Sequence, residues 1–125
     1  MMKFYICEHC GNIATKLTSS KVPLVCCGKP MTELKAGVTD AAVEKHVPAV
    51  TVEGNTVKVV VGDVIHPMTE EHYIEWIVLE TERDAQIHWL HPQDAPEATF
   101  ALPEGVQGKA VYAYCNLHGL WKKDL

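Results

Sequence analysis

Four of the five cysteines lie near the N-terminus, in a spacing that suits a metal ion. Cys7 and Cys10 form a C-x-x-C motif, and Cys26 and Cys27 are adjacent in the sequence. Four thiolates in this order can surround one tetrahedral ion. Disulfides fit poorly, because the cysteine count is odd and the first residues show no secretory signal. The spacing does not choose between iron and zinc, since both metals accept four thiolates.

A second set of nitrogen and sulfur donors follows, at positions where we expect loops between strands. It contains one cysteine and four histidines, namely His46, His66, His72, Cys115 and His118. The C-x-x-H spacing lets Cys115 and His118 reach one ion. Five donors exceed the four that zinc prefers and indicate iron with one open position. One thiolate leaves Fe(II) a formal charge of about +1, which attracts a small anion. Because a thiolate also pushes electron density toward bound oxygen, we expect one-electron chemistry on a small oxygen anion.

The elements that position these donors are predicted to be strands. Residues 1–36 form a unit too short to fold by hydrophobic burial alone, so we expect a metal to staple it. In residues 37–125, β-branched and aromatic runs alternate with turn signals. The predicted strands are 47–52, 57–61, 73–79, 86–90, 97–102 and 109–114, the last being the final full strand. Residues 40–46 can hold one helical turn. The pattern predicts an all-β chain in which the small metal-stapled unit precedes an immunoglobulin-like antiparallel β-sandwich.

Composition excludes several classes of partner. The chain has 125 residues, with 11 Lys and Arg against 16 Asp and Glu, which gives a net charge of −5. It has no basic cluster for binding nucleic acid, and no apolar run near the ~20 residues that span a membrane. Trp76, Trp89 and Trp121 are expected in the core or in a pocket wall, whereas His88 and His91 are expected to be exposed and without a role.

The motifs around the donors resemble those of desulfoferrodoxin, the two-iron form of superoxide reductase, over essentially the whole chain. The N-terminal motifs, which are similar to desulforedoxin, are 4–12 and 26–31. The motifs of the second part are 44–48, 66–68, 71–74 and 115–121. No donor position departs from the family pattern.

This resemblance implies an iron ion in each site. The four N-terminal cysteines would hold Fe(Cys)4, a centre in which zinc can substitute. In the second centre, the resemblance implies that Cys115 is the axial ligand and that the equatorial ligands are His46, His66, His72 and His118. The implied activity is reduction of superoxide to hydrogen peroxide, with two protons and an electron from rubredoxin or a similar carrier. The family also implies a cytoplasmic homodimer.

Two charged residues beside a ligand have implied roles as well. Lys45 is expected near the open position, where its ammonium attracts superoxide and orders water for protonation. Glu44 is expected to occupy the sixth coordination position of the iron when the oxidised centre is at rest. The purpose of the first centre stays open between electron relay and structural support.

Other interpretations of the donors remain. A cupredoxin-like copper protein would explain the segment 114–119, although no Met follows His118 and the other histidines would be surplus. A rubredoxin-like electron-transfer protein without superoxide chemistry is a related alternative. A structural zinc module would explain the four cysteines but not the histidines.

Overall fold

The computed structural model describes residues 1–38 and 41–125, and nearly all of its regular structure is β-strand. The chain divides into two compact units, Met1–Lys35 and Ala36–Leu125. Among the described residues the single helix, α1, is the turn Val43–His46, and no helix is long and apolar enough to cross a membrane. The prediction of a helical turn is confirmed for these four residues, while Asp40, where that prediction began, lies outside the described residues.

The first unit contains two small antiparallel sheets. Strands β1 (Phe4–Ile6), β2 (Ile13–Thr15) and β5 (Thr32–Leu34) form one sheet in the order β2-β1-β5. Strands β3 (Val25–Cys26) and β4 (Lys29–Pro30) form a hairpin. Within Met1–Lys35, only Phe4 and Cys7 are buried. Two buried side chains bury too little apolar surface to stabilise a domain, which agrees with the expectation that a metal ion bound by the four thiols staples this unit.

The second unit is a sandwich of two antiparallel sheets, which confirms the predicted fold class. The strands are β6 (Pro48–Glu53), β7 (Thr56–Val61), β8 (Ile74–Thr81), β9 (Ala85–Trp89), β10 (Glu97–Ala101), β11 (Gly108–Cys115) and β12 (Gly119–Asp124). One sheet has the order β10-β7-β6, and the other has the order β12-β11-β8-β9. The prediction that β11 is the last full strand is wrong, because β12 pairs with β11 along six residues.

The core of the sandwich is formed by alternate residues that face inward from both sheets. Strand β7 contributes Val57, Val59 and Val61, and β11 contributes a row that ends in Val111, Ala113 and Cys115. The period of two follows from strand geometry, in which successive side chains point to opposite faces. Because this row ends in Cys115, the core places a fully buried thiol at one end of the sandwich.

Candidate metal centres

The first unit brings its four thiols together. The sulfur atoms of Cys7, Cys10, Cys26 and Cys27 all lie within 4.8 Å of one another. The first loop folds back because the Cys7 N–H donates to Asn12 O and the Gly11 N–H donates to Cys7 O, each over 2.8 Å. Cys27 lies in the turn between β3 and β4 with φ of +52°, a left-handed conformation that is uncommon for residues other than glycine.

The electrostatics of the four thiols favour a cation. The backbone N–H of Cys10 is the main cause that lowers the pKa of Cys7 to about 6. Hydrogen bonding with Cys10 and Cys7 raises the pKa of Cys27 to about 12. Cys7 therefore ionises more readily than an ordinary thiol and Cys26 and Cys27 less readily, so the close sulfurs conflict over negative charge. A bound ion removes this conflict, and four thiolates suit tetrahedral iron or zinc. All five cysteines of the chain are free thiols.

The donors of the second unit converge at one end of the sandwich. The register places the start of β6 beside the end of β7, and the end of β11 beside the starts of β8 and β12. Every predicted donor adjoins one of these strand ends: His46 before β6, His66 after β7, His72 before β8, Cys115 at the end of β11 and His118 before β12. Antiparallel pairing thus collects residues that are far apart in the sequence.

These five donors form one cluster. The ligand atoms of His46, His66, His72 and Cys115 lie within 4.8 Å of one another. His118 joins them, since its Nδ1 is 3.1 Å from Nε2 of His46 and 3.9 Å from Sγ of Cys115. The rings of His46 and His72 stack at 6.4 Å between centroids, and His118 lies edge-on to both at 5.0 Å.

Backbone carbonyls fix two of the imidazoles so that Nε2 faces the cluster. Nδ1 of His46 donates to Ala42 O, and Nδ1 of His66 donates to Pro67 O, each over 2.6 Å. Since Nδ1 carries the hydrogen, each neutral ring presents a bare lone pair at Nε2. These two Nε2 atoms lie only 3.2 Å apart. Burial opposes protonation and, as the main cause, lowers the pKa of His66 to about 4.

The same atoms fit a metal cation. Two bare lone pairs cannot hydrogen-bond to each other, but both can bind one cation. Nε2 of His72 is buried and has no hydrogen-bond partner among the described residues. A buried polar atom of this kind normally requires a partner, and a metal ion at the cluster would supply it. With one sulfur and four nitrogen donors, the set suits iron.

Cys115 and the aromatic wall complete the surroundings. Burial is the main cause that raises the pKa of Cys115, while the backbone N–H groups of Leu117 and His118 act in the opposite direction. Trp121 stacks on His46 with 4.8 Å between centroids and donates from its indole N–H to His118 O over 3.0 Å. The expectation of a pocket-wall tryptophan is therefore confirmed for Trp121.

The two charged residues predicted beside the second centre lie on α1. Glu44 is exposed and Lys45 is half-buried. The positive charge of Lys45 contributes to lowering the pKa of both His46 and His72, for which burial is the main cause. The charge of Glu44 acts on the pKa of His46 in the opposite direction. Both side chains are thus electrostatically coupled to the cluster, and Lys45 is coupled to two of its rings.

Several residues differ from the expectations or were missed by them. His88 and His91 are exposed, as expected, and Trp76 is buried. Trp89 is 68% exposed, which contradicts its expected place in the core or a pocket wall. Sequence reasoning also missed Asn116, which lies inside a recognised motif. Its side-chain hydrogen bonds join distant segments, and no spacing rule predicts such contacts.

Comparison with known families identifies the chain. The family model described as Desulfoferrodoxin matches residues 38–124, and the one described as Desulfoferrodoxin, N-terminal domain, matches residues 1–34. The chain belongs to the desulfoferrodoxin family. A desulfoferrodoxin from Nitratidesulfovibrio vulgaris is 47% identical over 122 residues, which cover 98% of this chain and 95% of the relative. The four-cysteine cluster and the cluster of four histidines and one cysteine match the two iron centres of desulfoferrodoxins.

Solved structures extend the comparison to superoxide reductases. The crystal structure of the superoxide reductase from Treponema pallidum has a TM-score of 0.83 and 38% identity, and the match covers 99% of each chain. A structure named superoxide reductase (1Fe-SOR), from Giardia intestinalis, has a TM-score of 0.57 and 33% identity. That match covers 97% of the Giardia chain but 66% of this one. This chain thus shares about two thirds of its length with a one-iron relative.

Proposed function

We propose that this chain is a superoxide reductase, which converts superoxide to hydrogen peroxide at the five-donor centre. The observation that carries the proposal is the five-donor cluster, in a desulfoferrodoxin chain whose structural relatives include proteins named superoxide reductases. Each turnover consumes one superoxide, one electron and two protons and yields one hydrogen peroxide. Iron held by the cluster would transfer the single electron to superoxide.

The residues of α1 are proposed to handle the substrate and its protons. Lys45 carries a positive charge beside His46 and His72, so it draws a small anion toward the cluster. Its ammonium also orders water from which the product oxygen atoms take their protons. Glu44, on the same turn, is proposed to be the residue that would occupy the open coordination position when the oxidised centre is at rest.

The metal ligands of the cluster are proposed to act as the resemblance implies. Cys115 would provide the thiolate sulfur, and the rings of His46, His66, His72 and His118 would provide the four imidazole nitrogens that hold the ion. Because the carbonyl groups of Ala42 and Pro67 hold the rings of His46 and His66 in one tautomer, these two donors need no rearrangement to bind the ion. This preorganisation favours a fixed coordination set with one side left for substrate.

The first unit is proposed to be a desulforedoxin-like domain that ends near residue 36, followed by the reductase domain at 37–125. Its four-cysteine centre is not required for the superoxide reaction. The support is the one-iron superoxide reductase of Giardia, which matches only about two thirds of this chain. We further propose that a rubredoxin-like carrier delivers the electron, and that the protein is a cytoplasmic homodimer.

The blue-copper alternative lacks a suitable sulfur. A copper site of that type uses two histidines and a cysteine with a weak axial Met. The sulfur of Met68 instead accepts a hydrogen bond from the Ile74 N–H over 3.4 Å, and four imidazoles face the cluster. The arrangement therefore favours iron.

The ratio of peroxide formed to superoxide consumed tests the proposal. The full chain is loaded with iron, supplied with a one-electron donor and exposed to a measured flux of superoxide. A reductase forms one peroxide for each superoxide, whereas a dismutase forms one for every two. The same chain with zinc in both centres is the matched control and should be inactive. A dismutase ratio, or no consumption by the iron-loaded chain, would exclude the proposed function.

A further inference from the structure

Asn116 connects the segment that carries Cys115 to the segment that carries His72. Its Oδ1 accepts a hydrogen bond from the Tyr73 N–H over 2.9 Å, and its Nδ2 donates to Glu71 O over 3.0 Å. Its backbone N–H donates to Tyr73 O over 3.2 Å. The side chain of Asn116 therefore binds the main chain immediately before and immediately after His72.

His72 differs from two of its neighbours in how its ring is held. The rings of His46 and His66 donate from Nδ1 to backbone carbonyls. Among the described residues, neither ring nitrogen of His72 has a hydrogen bond, and its Nε2 is buried without a partner. Histidine ligands usually need a second group that fixes the orientation of the ring. Apart from ring contacts with His66 and His118, the fixation of His72 therefore comes through its backbone.

Local contacts supply only part of this fixation. Thr69 closes a turn on His72, since the Thr69 N–H donates to His72 O over 2.9 Å and the His72 N–H donates to Thr69 Oγ1 over 3.1 Å. This turn shapes the segment but does not anchor it to another ligand. The pairing of Cys115 with Ile74 joins the two segments after His72, and the side chain of Asn116, which directly follows Cys115, adds bonds on both sides of His72.

We propose that Asn116 is a positioning residue for the metal centre: its side-chain amide sets the position of His72 relative to Cys115 and His118. The task needs one acceptor and one donor on the same short side chain. Asparagine has both, whereas an aspartate only accepts and an alanine does neither. The proposal rests on the proposed iron site, but it concerns how the ligands are held rather than which substrate reacts there.

Two substitutions separate the acceptor from the donor. In the full iron-loaded chain, Asn116→Ala should release Fe(II) from the second centre to a chelator about 10-fold faster, the size typical for loss of a group that supports a ligand. Exchange of the Tyr73 amide hydrogen should rise as well. Asn116→Asp should keep the Tyr73 amide protected and should release iron about 3-fold faster or more, since the bond to Glu71 O is lost and a carboxylate oxygen then faces that carbonyl.

Two internal references make the comparison specific. The absorption of the four-cysteine centre should stay constant in both variants. Asn55→Ala is the matched control, since it removes an exposed asparagine that donates to Glu104 at 2.9 Å, at the β6–β7 turn. It should leave iron release and Tyr73 exchange unchanged. A shift in the thiolate-to-iron band of Asn116→Ala, absent from the control, would further support a displaced ligand.

The proposal is overturned if Asn116→Ala releases iron and exchanges the Tyr73 amide hydrogen at the wild-type rates. It is also overturned if both rates rise as much in Asn55→Ala as in Asn116→Ala. If Asn116→Ala fails to fold, Asn116→Asp decides, because faster iron release supports the proposal and unchanged release overturns it. Superoxide is absent from these measurements. A chain that needs Asn116 to retain iron but does not consume superoxide would contradict the proposed function alone.

Discussion

Gly62 is the point where the end of β7 approaches the turn that carries His46, and replacing it with alanine should displace that turn. A Cβ at this position would lie 2.7 Å from Glu44 O and 2.8 Å from Val47 O. Ordinary contact begins at 3.4 Å, so the backbone must separate by 3.4 − 2.7 = 0.7 Å. Both contacting atoms belong to the main chain, so no side-chain rotation can relieve the clash. The Val64 N–H, which donates to Glu44 O over 2.8 Å, would be disturbed as well.

This displacement sets the expected magnitudes. Forcing an extra methyl group into a packed site typically costs about 1–3 kcal/mol. For a unit of this size, each kcal/mol lowers the melting temperature by roughly 4–8 °C. A shift of 0.7 Å also exceeds the ~0.5 Å within which functional groups must be held. We therefore expect Gly62→Ala to lower the iron affinity of the second centre, or its rate with superoxide, by about 10-fold.

Gly108→Ala is the matched control for this prediction. Its Cβ would come within 2.8 Å of Leu125 Cδ1, which is the end of a flexible side chain. Gly108 begins β11, whereas the cluster lies at the other end of that strand. Thermal unfolding, iron content and the initial rate with superoxide are measured for both variants. If Gly62→Ala melts, binds iron and reacts like the wild type, the close approach at Gly62 does not position His46.

Three further predictions concern the charge of Lys45, the metal ligand Cys10 and the hydrogen bond of Tyr112. Lys45→Ala should slow the reaction with superoxide about 3- to 10-fold at low ionic strength, as expected for one charge near the anion. The exposed Lys109 provides the control, and an equal loss of rate in Lys109→Ala would exclude a local role for Lys45. Cys10→Ser should abolish the absorption of the first centre and leave the rate with superoxide unchanged. Loss of that rate with the second iron still bound would contradict the proposal that the four-cysteine centre is not required for the reaction. Tyr112→Phe removes the hydroxyl that donates to the buried Glu80 carboxylate over 2.8 Å, so the free energy of unfolding near neutral pH should fall by about 1.5–3 kcal/mol. Burial and then Glu80 raise the pKa of Tyr112 above its ordinary 10.0, so the native state should lose stability as the pH rises beyond 10.0. Urea titrations at neutral and alkaline pH should show a smaller alkaline loss in Tyr112→Phe, and an equal loss would refute this assignment.

The donors and the strands were predictable because each has a local signature. Thiol and imidazole donors are recognisable by residue type, and the C-x-x-C and C-x-x-H spacings place two donors on one turn. The alternation Val57, Val59, Val61 specifies a strand with one buried face, which the structure confirms. The convergence of the second donor set depends on which strands pair. In the sequence it was expected from the donors' places in loops between predicted strands, and the family resemblance implied the same ligand set.

The features that were missed depend on long-range pairing. Strand β12 ends in Lys122, Lys123 and Asp124, so its sequence resembles a polar tail, and its pairing with β11 fixes it as a strand. Trp89 belongs to the edge strand β9, along which His88 is exposed as well although it pairs with the core residue Ile77, so the position at the edge leaves Trp89 exposed. Nothing in a window of a few residues distinguishes an edge strand from a central one.

The order of the donors along the chain also sets the order in which the two centres can be assembled during synthesis. The four thiols of the first centre are complete at Cys27, within a unit that ends at Lys35. The second centre is complete only at His118, which is 118 − 27 = 91 positions later. It also needs both sheets to have paired, and such non-local pairing is slow. The first centre can therefore bind its metal before the second unit has been made, whereas the second centre can bind only after both sheets have paired.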